Sequence, residues 1–489
     1  MAEKDPKSPL TTSAAYDCMI ASWQKIQTVL DGTEALREAG TTYLPQHANE
    51  IQDVYDERLA CSTLFNMTKI TLESWVGRPF SDPIGFDMVP PKVQSVLDDI
   101  DLLGNDVHVF ARNWFKDGVA KAFSHVLVDY PRVPDRETRT VADDNAQNLR
   151  PYWIAIRPEQ LFFASAEIVD GVEVLREVRI LESIKMREGF AEYEVPQVRR
   201  IILVDDETGR HGVIELYREI KSRKKKKDWE MVDTYDSSLP VIPLVTFYAD
   251  RQDFMVGKSP VEDLADLNIA HWQSTSDQRA CVTVARFPLL ALSGGTDDNQ
   301  ELVIGPNRWL WCPDAQGRYY YVEHGGAALE AGRMDLADLE RQMSEYGAEF
   351  LKKRPDRETA TARALDSAEA TSPLQDMVMR FADALTTALH YTAQWLNLEG
   401  GGKALLSTDF GPEEITPQEL DILKETRKNR DISRKAFLTE LKRRALLADE
   451  YDIDADAQLL EQEAMDMFGG PLPEGDGEGA VHEDNTGEE

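Results

Sequence analysis

The spacing of apolar residues changes twice along this chain, and that change limits its fold more than any other feature of the sequence. In the first segment Tyr16, Met19, Ile20, Trp23, Ile26 and Leu30 recur at intervals of three and four. This predicts an amphipathic helix, with Gly32 placed to end it. A second long helix is expected from about Ala48 to Val76, with Ile51, Val54, Tyr55, Leu59, Phe65, Leu72 and Trp75 on its apolar side and Gly77 at its end. A third, near Asp106 to Lys121, runs into the short apolar strand His125 to Val128, stopped by Asp129-Tyr130-Pro131. From Pro151 to Tyr248 the pattern becomes that of strands: Tyr152 to Ile156, Val172 to Ile184, Val198 to Val204, Gly212 to Ile220, Trp229 to Thr234 and Val241 to Tyr248. Turn stretches such as Asp205-Asp206-Glu207-Thr208-Gly209 separate them. After residue 248 helical spacing returns. The fold class that follows is α+β, with an antiparallel β block set between helical segments.

The return to helix carries the same start signal three times. Ser259-Pro260-Val261-Glu262, Ser372-Pro373-Leu374-Gln375 and Thr416-Pro417-Gln418-Glu419 each fit a capping box with proline at the first helical position, where its missing N–H costs nothing. These are structural punctuation. A helix from Ser259 to Arg286 would be about 42 Å long. Its apolar residues Val261, Leu264, Leu267, Ile269, Ala270 and Trp272 spread over more than one face, then give way to Gln273-Ser274-Thr275-Ser276-Asp277-Gln278. That suits packing among neighbouring subunits and also a buried helix of a monomer. Residues 287 to 323 read as short β structure with turns at Gly294-Gly295, Gly305-Pro306 and Gly317. Trp309, Trp311, Tyr319, Tyr320 and Tyr321 there are either the core of that small unit or an interface. A polar amphipathic helix follows from about Ala327 to Leu351. Then come the basic break Lys352-Lys353-Arg354-Pro355-Asp356-Arg357 and a helical stretch from Thr359 to Leu396, restarting or kinking at Pro373. Its apolar stripe is Leu374, Met377, Val378, Phe381, Leu385, Ala388, Leu389 and Trp395. Thr416 to Met467 reads as two or three short charged helices.

Composition narrows the function classes. The chain has 489 residues, 42% of them apolar, enough for a real core and for several domains. Its net charge is −34, from 54 Lys+Arg against 88 Asp+Glu, which opposes simple adhesion to nucleic acid. Part of that excess sits in residues 469 to 489, rich in Gly, Pro and acids, which read as a disordered tail. The basic run Lys224 to Lys227 lies between two strands and reads as a charged hairpin tip that blocks edge pairing, with DNA contact as the other reading. Cys18, Cys61, Cys281 and Cys312 form no CxxC or Cys/His cluster, and each is expected to be a small buried apolar side chain. No apolar run is long enough to span a membrane and the first residues lack a signal-peptide core, so the chain is expected to stay soluble in the cytoplasm where it is made.

Motifs of catalysis are missing from the sequence. Gly257-Lys258-Ser259 resembles the end of a phosphate-binding loop, but Gln252 stands where the earlier glycine is required. There is no G-x-S-x-G elbow and no H-E-x-x-H pair, and the eight histidines stand singly. Acidic pairs such as Asp143-Asp144, Asp205-Asp206 and Asp297-Asp298 arise easily in so acidic a chain, and their ordinary role is a solvated turn. No catalytic residue, metal site or cofactor is expected.

The order of these segments resembles the portal proteins (head–tail connectors) of tailed bacteriophages. The residues that carry the resemblance are Tyr55-Asp56-Glu57-Arg58 with Asn66, Val76-Gly77-Arg78-Pro79-Phe80, and Val126-Leu127-Val128-Asp129-Tyr130-Pro131. Further on come Ile242-Pro243-Leu244-Val245, Ser259 through Asn268, Ser274-Thr275-Ser276-Asp277, and Glu358-Thr359-Ala360-Thr361-Ala362. The likeness covers roughly residues 40 to 450, and it lies in the order of the motifs more than in any one of them.

The resemblance implies a subunit with a helical and β wing at residues 1–258, its β-rich part at 151–248, and a stem helix at 259–286. A small β clip follows at 287–326, a second stem helix at 327–351, a tunnel loop at 352–358, a long wing helix at 359–398 and a helical crown at 399–468. It implies a dodecameric ring at one capsid vertex of the virion, assembled in the host cytoplasm, through which double-stranded DNA is packaged and ejected. Its partners would be further copies of itself, the major capsid protein, the terminase and the head–tail adaptor, with no membrane involved. Lys352, Lys353, Arg354 and Arg357 would face the channel and touch the DNA backbone without reading bases; the other reading is a solvated basic loop at a helix end. An acidic ring with one narrow basic loop suits a channel that lets DNA slide. Two alternatives stand beside this: another oligomeric virion component such as a capsid-lining or adaptor protein, and a metal-dependent nuclease.

Overall fold

Ser13 opens the first helix by accepting a hydrogen bond from the Tyr16 N–H at 3.1 Å. That helix, α1 (Ala14–Asp31), buries Met19, Trp23, Ile26 and Val29 along one face and stops at Gly32, whose φ of +94° is open to glycine. After α2 (Thr33–Ala39), the single helix expected over 48 to 76 is instead two, α3 (Gln52–Cys61) and α4 (Met67–Gly77). The physical reason lies in the break. The Ser62 hydroxyl donates to the Leu59 carbonyl at 2.7 Å, and the Asn66 side chain caps α4 by accepting from the Lys69 N–H at 2.9 Å. Local side-chain bonds of this kind compete with the helical ladder. The expected apolar stripe is also narrower. Tyr55, Leu72 and Trp75 are buried, whereas Ile51, Val54 and Phe65 are exposed.

In this computed structural model, residues 8–132, 148–207, 209–221, 227–286, 289–293, 316–322, 326–349, 372–408, 417–429, 431–443, 446–447, 451–453 and 455–460 are described. The chain forms two units, Met1–Asp409 and Phe410–Glu489. It is a mixed helix and sheet protein of the α+β class.

In the first unit, β1 (Gly85–Asp87) and the short α5 (Pro91–Gln94) lead to α6 (Val107–Lys121), capped by Asp106 and followed at once by β2 (Phe123–Asp129), as the sequence predicts. Next come β3 (Tyr152–Ile156), β4 (Leu161–Val169), β5 (Val172–Glu188), β6 (Ala191–Asp206), β7 (Gly209–Lys221), β8 (Lys227–Ser237) and β9 (Leu244–Tyr248). The expected single β block is two sheets. β4 to β8 form an antiparallel meander in chain order, while β3 and β9 flank β2 in a three-stranded sheet. The strand β4 has no counterpart in the sequence reading, because two register shifts against β5 interrupt its alternation. Lys221 pairs with Lys227 across the β7–β8 hairpin, so the basic run is placed only by that pairing; 222–226 lie outside the described residues.

Packing joins the sheets to the helices. Met19 and Trp23 of α1 meet Phe123 and Leu127 of β2, and Val178, Ile180 and Ile201 of the larger sheet complete that core. The remaining elements of the first unit are β10 (Arg251–Asp253), β11 (Val256–Gly257), α7 (Glu262–Arg286), β12 (Leu289–Ser293), β13 (Arg318–Val322), α8 (Gly326–Glu349), α9 (Pro373–Trp395) and β14 (Lys403–Leu405). β14 pairs with β1. At Ser372 the capping box is complete, with the side chains and N–H groups of Ser372 and Gln375 bonded reciprocally at 2.8 and 3.2 Å. At Ser259 it is not. There α7 starts at Glu262, and the Ser259 hydroxyl instead donates to the Ala120 carbonyl at 2.7 Å, tying the helix start to the end of α6. The second unit contains α10 (Pro417–Lys428) and α11 (Arg434–Arg443). Cys18, Cys61 and Cys281 are exposed and free, not buried as expected. Cys18 lies on the outer face of α1 beside the inward Met19, and Cys61 ends α3, so small size did not carry either into the core. Cys312 lies outside the described residues.

Candidate functional site: a helical hairpin and its anchor

Helices α7 and α8 lie antiparallel, and their contacts run down the pair in opposite chain directions. The Tyr346 hydroxyl donates to the Pro260 carbonyl at 3.0 Å, and His271 Nε2 sits 3.4 Å from Glu340 Oε1. Ser274 donates to Asp335 at 2.8 Å and the Gln278 amide to the Leu329 carbonyl at 2.8 Å. Burial raises the Tyr346 hydroxyl to about 12, so it remains a donor at neutral pH. On α8 the less exposed positions are Leu329, Gly332, Leu336, Leu339, Met343 and Tyr346, at alternating intervals of three and four, together with Gly347 beside Tyr346. That is the narrow seam of a coiled pair, and the other described side chains of α8 face outward. At the far end β12 and β13 pair in register, with Leu292 opposite Tyr319 and Leu290 opposite Tyr321.

The near end of the hairpin is anchored by α3 and α4. Arg58 is 5% exposed at its side chain and makes a two-pronged pair with Glu50 through Nε and Nη2, both bonds 2.8 Å; Nη2 also donates to the Pro45 carbonyl at 2.9 Å, and Nη1 reaches Asp277 of α7 at 3.3 Å. The Arg58 guanidinium holds the Glu50 carboxyl down at about 2 against the opposing effect of desolvation. His47 also reaches Asp277, at 3.1 Å. Next to this, Asn268 of α7 accepts from both the N–H and the hydroxyl of Thr68 at 3.0 Å, and donates to the Phe65 carbonyl at 2.8 Å. Trp75 donates to the Gly347 carbonyl at 3.1 Å, fixing the last turns of α8 on α4. The motif residues Tyr55, Arg58, Asn66, Asn268 and Asp277 are therefore ties between separate segments of the chain.

The residues singled out from sequence fall unevenly on this frame. Lys352, Lys353, Arg354 and Arg357 lie outside the described residues, as do Trp309 and Trp311. Tyr319 and Tyr320 stand on β13, half-buried and exposed respectively, and Tyr321 is placed by its backbone pairing alone. Glu50 and Asp277, the acidic partners of Arg58, were not foreseen as a group. The visible signal was that Tyr55 to Arg58 and Ser274 to Asp277 both belong to the motifs quoted above. Among the described residues no three His, Cys, Asp or Glu side chains converge as metal ligands, and no helix is long and apolar enough to cross a membrane.

Comparison with known proteins gives one family and several structures. Residues 260–396, which hold the hairpin and all of α9, match a family described as a domain of unknown function, DUF4055. No curated relative matches the sequence. Solved structures similar to the chain include the neck of an empty GTA particle computed with C6 symmetry, at 11% identity and a TM-score of 0.38, over 76% of this chain and 87% of that one. The virion of a native gene transfer agent (GTA) particle matches at 10% identity and a TM-score of 0.37, over 82% and 96%. The neck of a native GTA particle computed with C12 symmetry matches at 11% identity and 0.36, over 78% and 89%.

Proposed function

We propose that this chain is a ring-forming structural subunit of a phage-type particle, a portal at the head–tail connection through which double-stranded DNA passes. The observation that carries the reading is the helical hairpin. Helices of 25 and 24 residues, about 37 Å long at 1.5 Å per residue, leave a well-packed anchor, meet along a single seam and are joined by way of a pair of short strands. The first half of α7 is buried in the single chain, but a monomer gains little from the exposed outer face of α8, whereas copies set side by side in a ring would turn it into a wall. The sequence of α8 adds the charge argument. It holds six acidic residues and two arginines, so a wall faced by it would not grip phosphates and DNA could slide past.

On this reading the chain assembles as a dodecameric ring at a capsid vertex of the virion and works without catalysis or cofactor. It would touch the major capsid protein, the terminase and the head–tail adaptor through its outer surfaces. Lys352, Lys353, Arg354 and Arg357 would supply the weak, sequence-independent backbone contact of the channel, and the aromatic residues Trp309, Trp311, Tyr319, Tyr320 and Tyr321 an interface at the clip. Negative-stain imaging of the purified protein tests the main claim: rings with a central hole are expected, and a monomeric globule or an open filament overturns it. Charge reversal of the four basic residues is expected to impair DNA packaging, and unaltered packaging removes the DNA contact from the proposal. Cleavage of DNA with Mg²⁺ or Mn²⁺, abolished by carboxylate substitution, would replace the reading with a nuclease.

A further inference from the structure

The larger sheet outruns its own neighbours. Pairing of β4 to β5 ends at Ile180, and β7 joins β6 only from Gln197 on, so residues 182–188 and 191–196 form a two-stranded ribbon with no third strand among the described residues. Such a ribbon is marginal in water by itself. Its register places Ile184 opposite Val195, Met186 opposite Tyr193 and Glu188 opposite Ala191 on one face, and the pairs from Ser183, Lys185 and Arg187 on the other. The second face is complete: Ser183 donates to Glu194 at 3.1 Å, and Lys185 and Arg187 pair with Glu192 at 3.4 and 3.3 Å. The first face is apolar and uncovered. Met186 and Tyr193 are 39% and 40% exposed, and Phe190 at the turn is exposed over its whole surface.

A receptor of matching character lies at the other end of the same strand. An open groove of about 800 Å³ runs between the start of β5, the edge strand β9 and α9, with Val174, Leu175, Tyr248, Phe254, Ala384 and Tyr391 among its lining. Ala249 donates to Ala122 and Val128 to Pro243 across the β2–β9 pair, so positions 243, 245, 247 and 249 bond to β2. Alternation then turns the peptide groups of Thr246 and Tyr248 toward the groove. Of the charged residues there, Arg251 is held by Glu173 in two bonds of 2.9 and 3.1 Å and Arg380 donates to the Ala249 carbonyl at 2.8 Å, while Asp250 and Asp383 also line the groove.

From Val172 to the ribbon turn is about 50 Å at ~3.3 Å per residue, so the ribbon cannot reach its own groove. We propose that the β5–β6 ribbon of one copy lies in the groove of the next, its Met186, Tyr193 and Phe190 face on the apolar lining and its edge paired to Thr246 and Tyr248. This rests on the ring-forming reading and adds the contact that closes it. A contact between two different surfaces of identical chains is heterologous, and such contacts repeat into rings when the rotation closes. Phe190, exposed over its whole surface, brings ~150–250 Å² when buried, about a quarter of the ~800 Å² per partner that a stable interface takes, and Met186 and Tyr193 add their exposed parts.

The test places the photo-crosslinking residue p-benzoylphenylalanine at position 190 of the full chain and irradiates it after assembly. Links between copies from 190 to residues 172–175, 246–254 or 380–391 are expected. Links to any other region, to residues 1–7, or within one copy overturn the proposal. In parallel, Phe190→Asp is expected to raise the concentration for half-assembly in mass photometry at least tenfold, with Phe190→Leu close to wild type and circular dichroism unchanged in both. Rings that form equally well with Phe190→Asp sink this contact and leave the ring reading standing. A wild-type chain that stays monomeric at every concentration sinks both.

Discussion

The aromatic core around Phe381 and the outward face of α8 lie in the same unit and represent opposite ways of using sequence. Phe381 is fully buried, with ring centroids of Phe247 at 4.9 Å, Trp114 at 5.0 Å, Phe115 at 5.1 Å and Phe80 at 6.1 Å, so α9, α6 and β9 meet on one side chain. On α8, Met343 is the one fully buried side chain among the described residues, and ion pairs such as Arg341 with Asp338 at 3.1 Å lie in the open. The first region carries its own stability. The second is held at its base and its outer face contributes little to the fold of one chain, as the proposed ring would require.

The contrast breaks first at Phe381. Phe381→Ala is expected to cost about 3–5 kcal/mol, since it removes a large side chain from four aromatic neighbours and leaves a cavity. Chemical denaturation measures it, and a loss under 1 kcal/mol would mean that this core is not what holds the unit together.

The base of the hairpin should respond almost as strongly. Arg58→Ala leaves Glu50 buried without its partner, a change of the kind that costs about 3 kcal/mol or more. The pH dependence follows from the sign of the Glu50 shift. Its folded value, about 2, lies below the usual 4.5, so its contribution is full above 4.5 and is lost as pH falls from 4.5 toward 2. His125 adds to the same trend. Burial lowers it from 6.5 to about 3, so stability falls as pH drops through that window, where the unfolded chain takes up the proton first. Unfolding midpoints at pH 7, 5.5 and 4 should decline in order, and Arg58→Ala should flatten the part below pH 4.5. Asn268→Ala strands two donors of Thr68 and is expected to cost about 1–3 kcal/mol, read by the same unfolding curves.

Much of this contrast is legible in the sequence. The stripe from Leu374 to Leu389 is buried as its spacing predicts, because a 3.6-residue period with a capped start has one good solution. Asp106 and Ser372 cap the helices that follow them for the same local reason. What the sequence hides is long-range. Whether β3 and β9 join the meander or flank β2 depends on pairing across a hundred residues, which period-two alternation cannot express. The break at Ser62 to Asn66 was masked by apolar residues that keep a helical beat across it, although Phe65 ends up exposed. Arg58, Glu50 and Asp277 form one group only after folding, and nothing in their spacing brings them together. The ribbon was missed, since the expected strands stop at Ile184 and resume at Val198. Ile184 and Met186 alternate with Lys185 and Arg187, but that the strand continues past its neighbours is a property of the sheet.

The smallest effect separates the two regions by sign. Gly118 of α6 and Gly332 of α8 are both inside helices, where alanine is favoured over glycine by about 0.5–1 kcal/mol. At Gly118 a Cβ would fall 2.3 Å from the Phe247 ring and 2.8 Å from the Ser124 hydroxyl, and the ring is stacked on Phe115 at 5.4 Å with no room to retreat. Gly118→Ala is therefore expected to destabilise by about 1–3 kcal/mol, overpacking outweighing propensity. At Gly332 the Cβ would meet only the end of the Gln278 side chain, at 2.1 Å, and a half-exposed amide can swing away at the loss of its bond to Leu329. Gly332→Ala should thus be neutral or stabilise by up to about 1 kcal/mol. Paired thermal melts of the two variants, compared under conditions that keep the chain monomeric, decide the matter. If both destabilise alike, the seam between α7 and α8 is packed as tightly as the core.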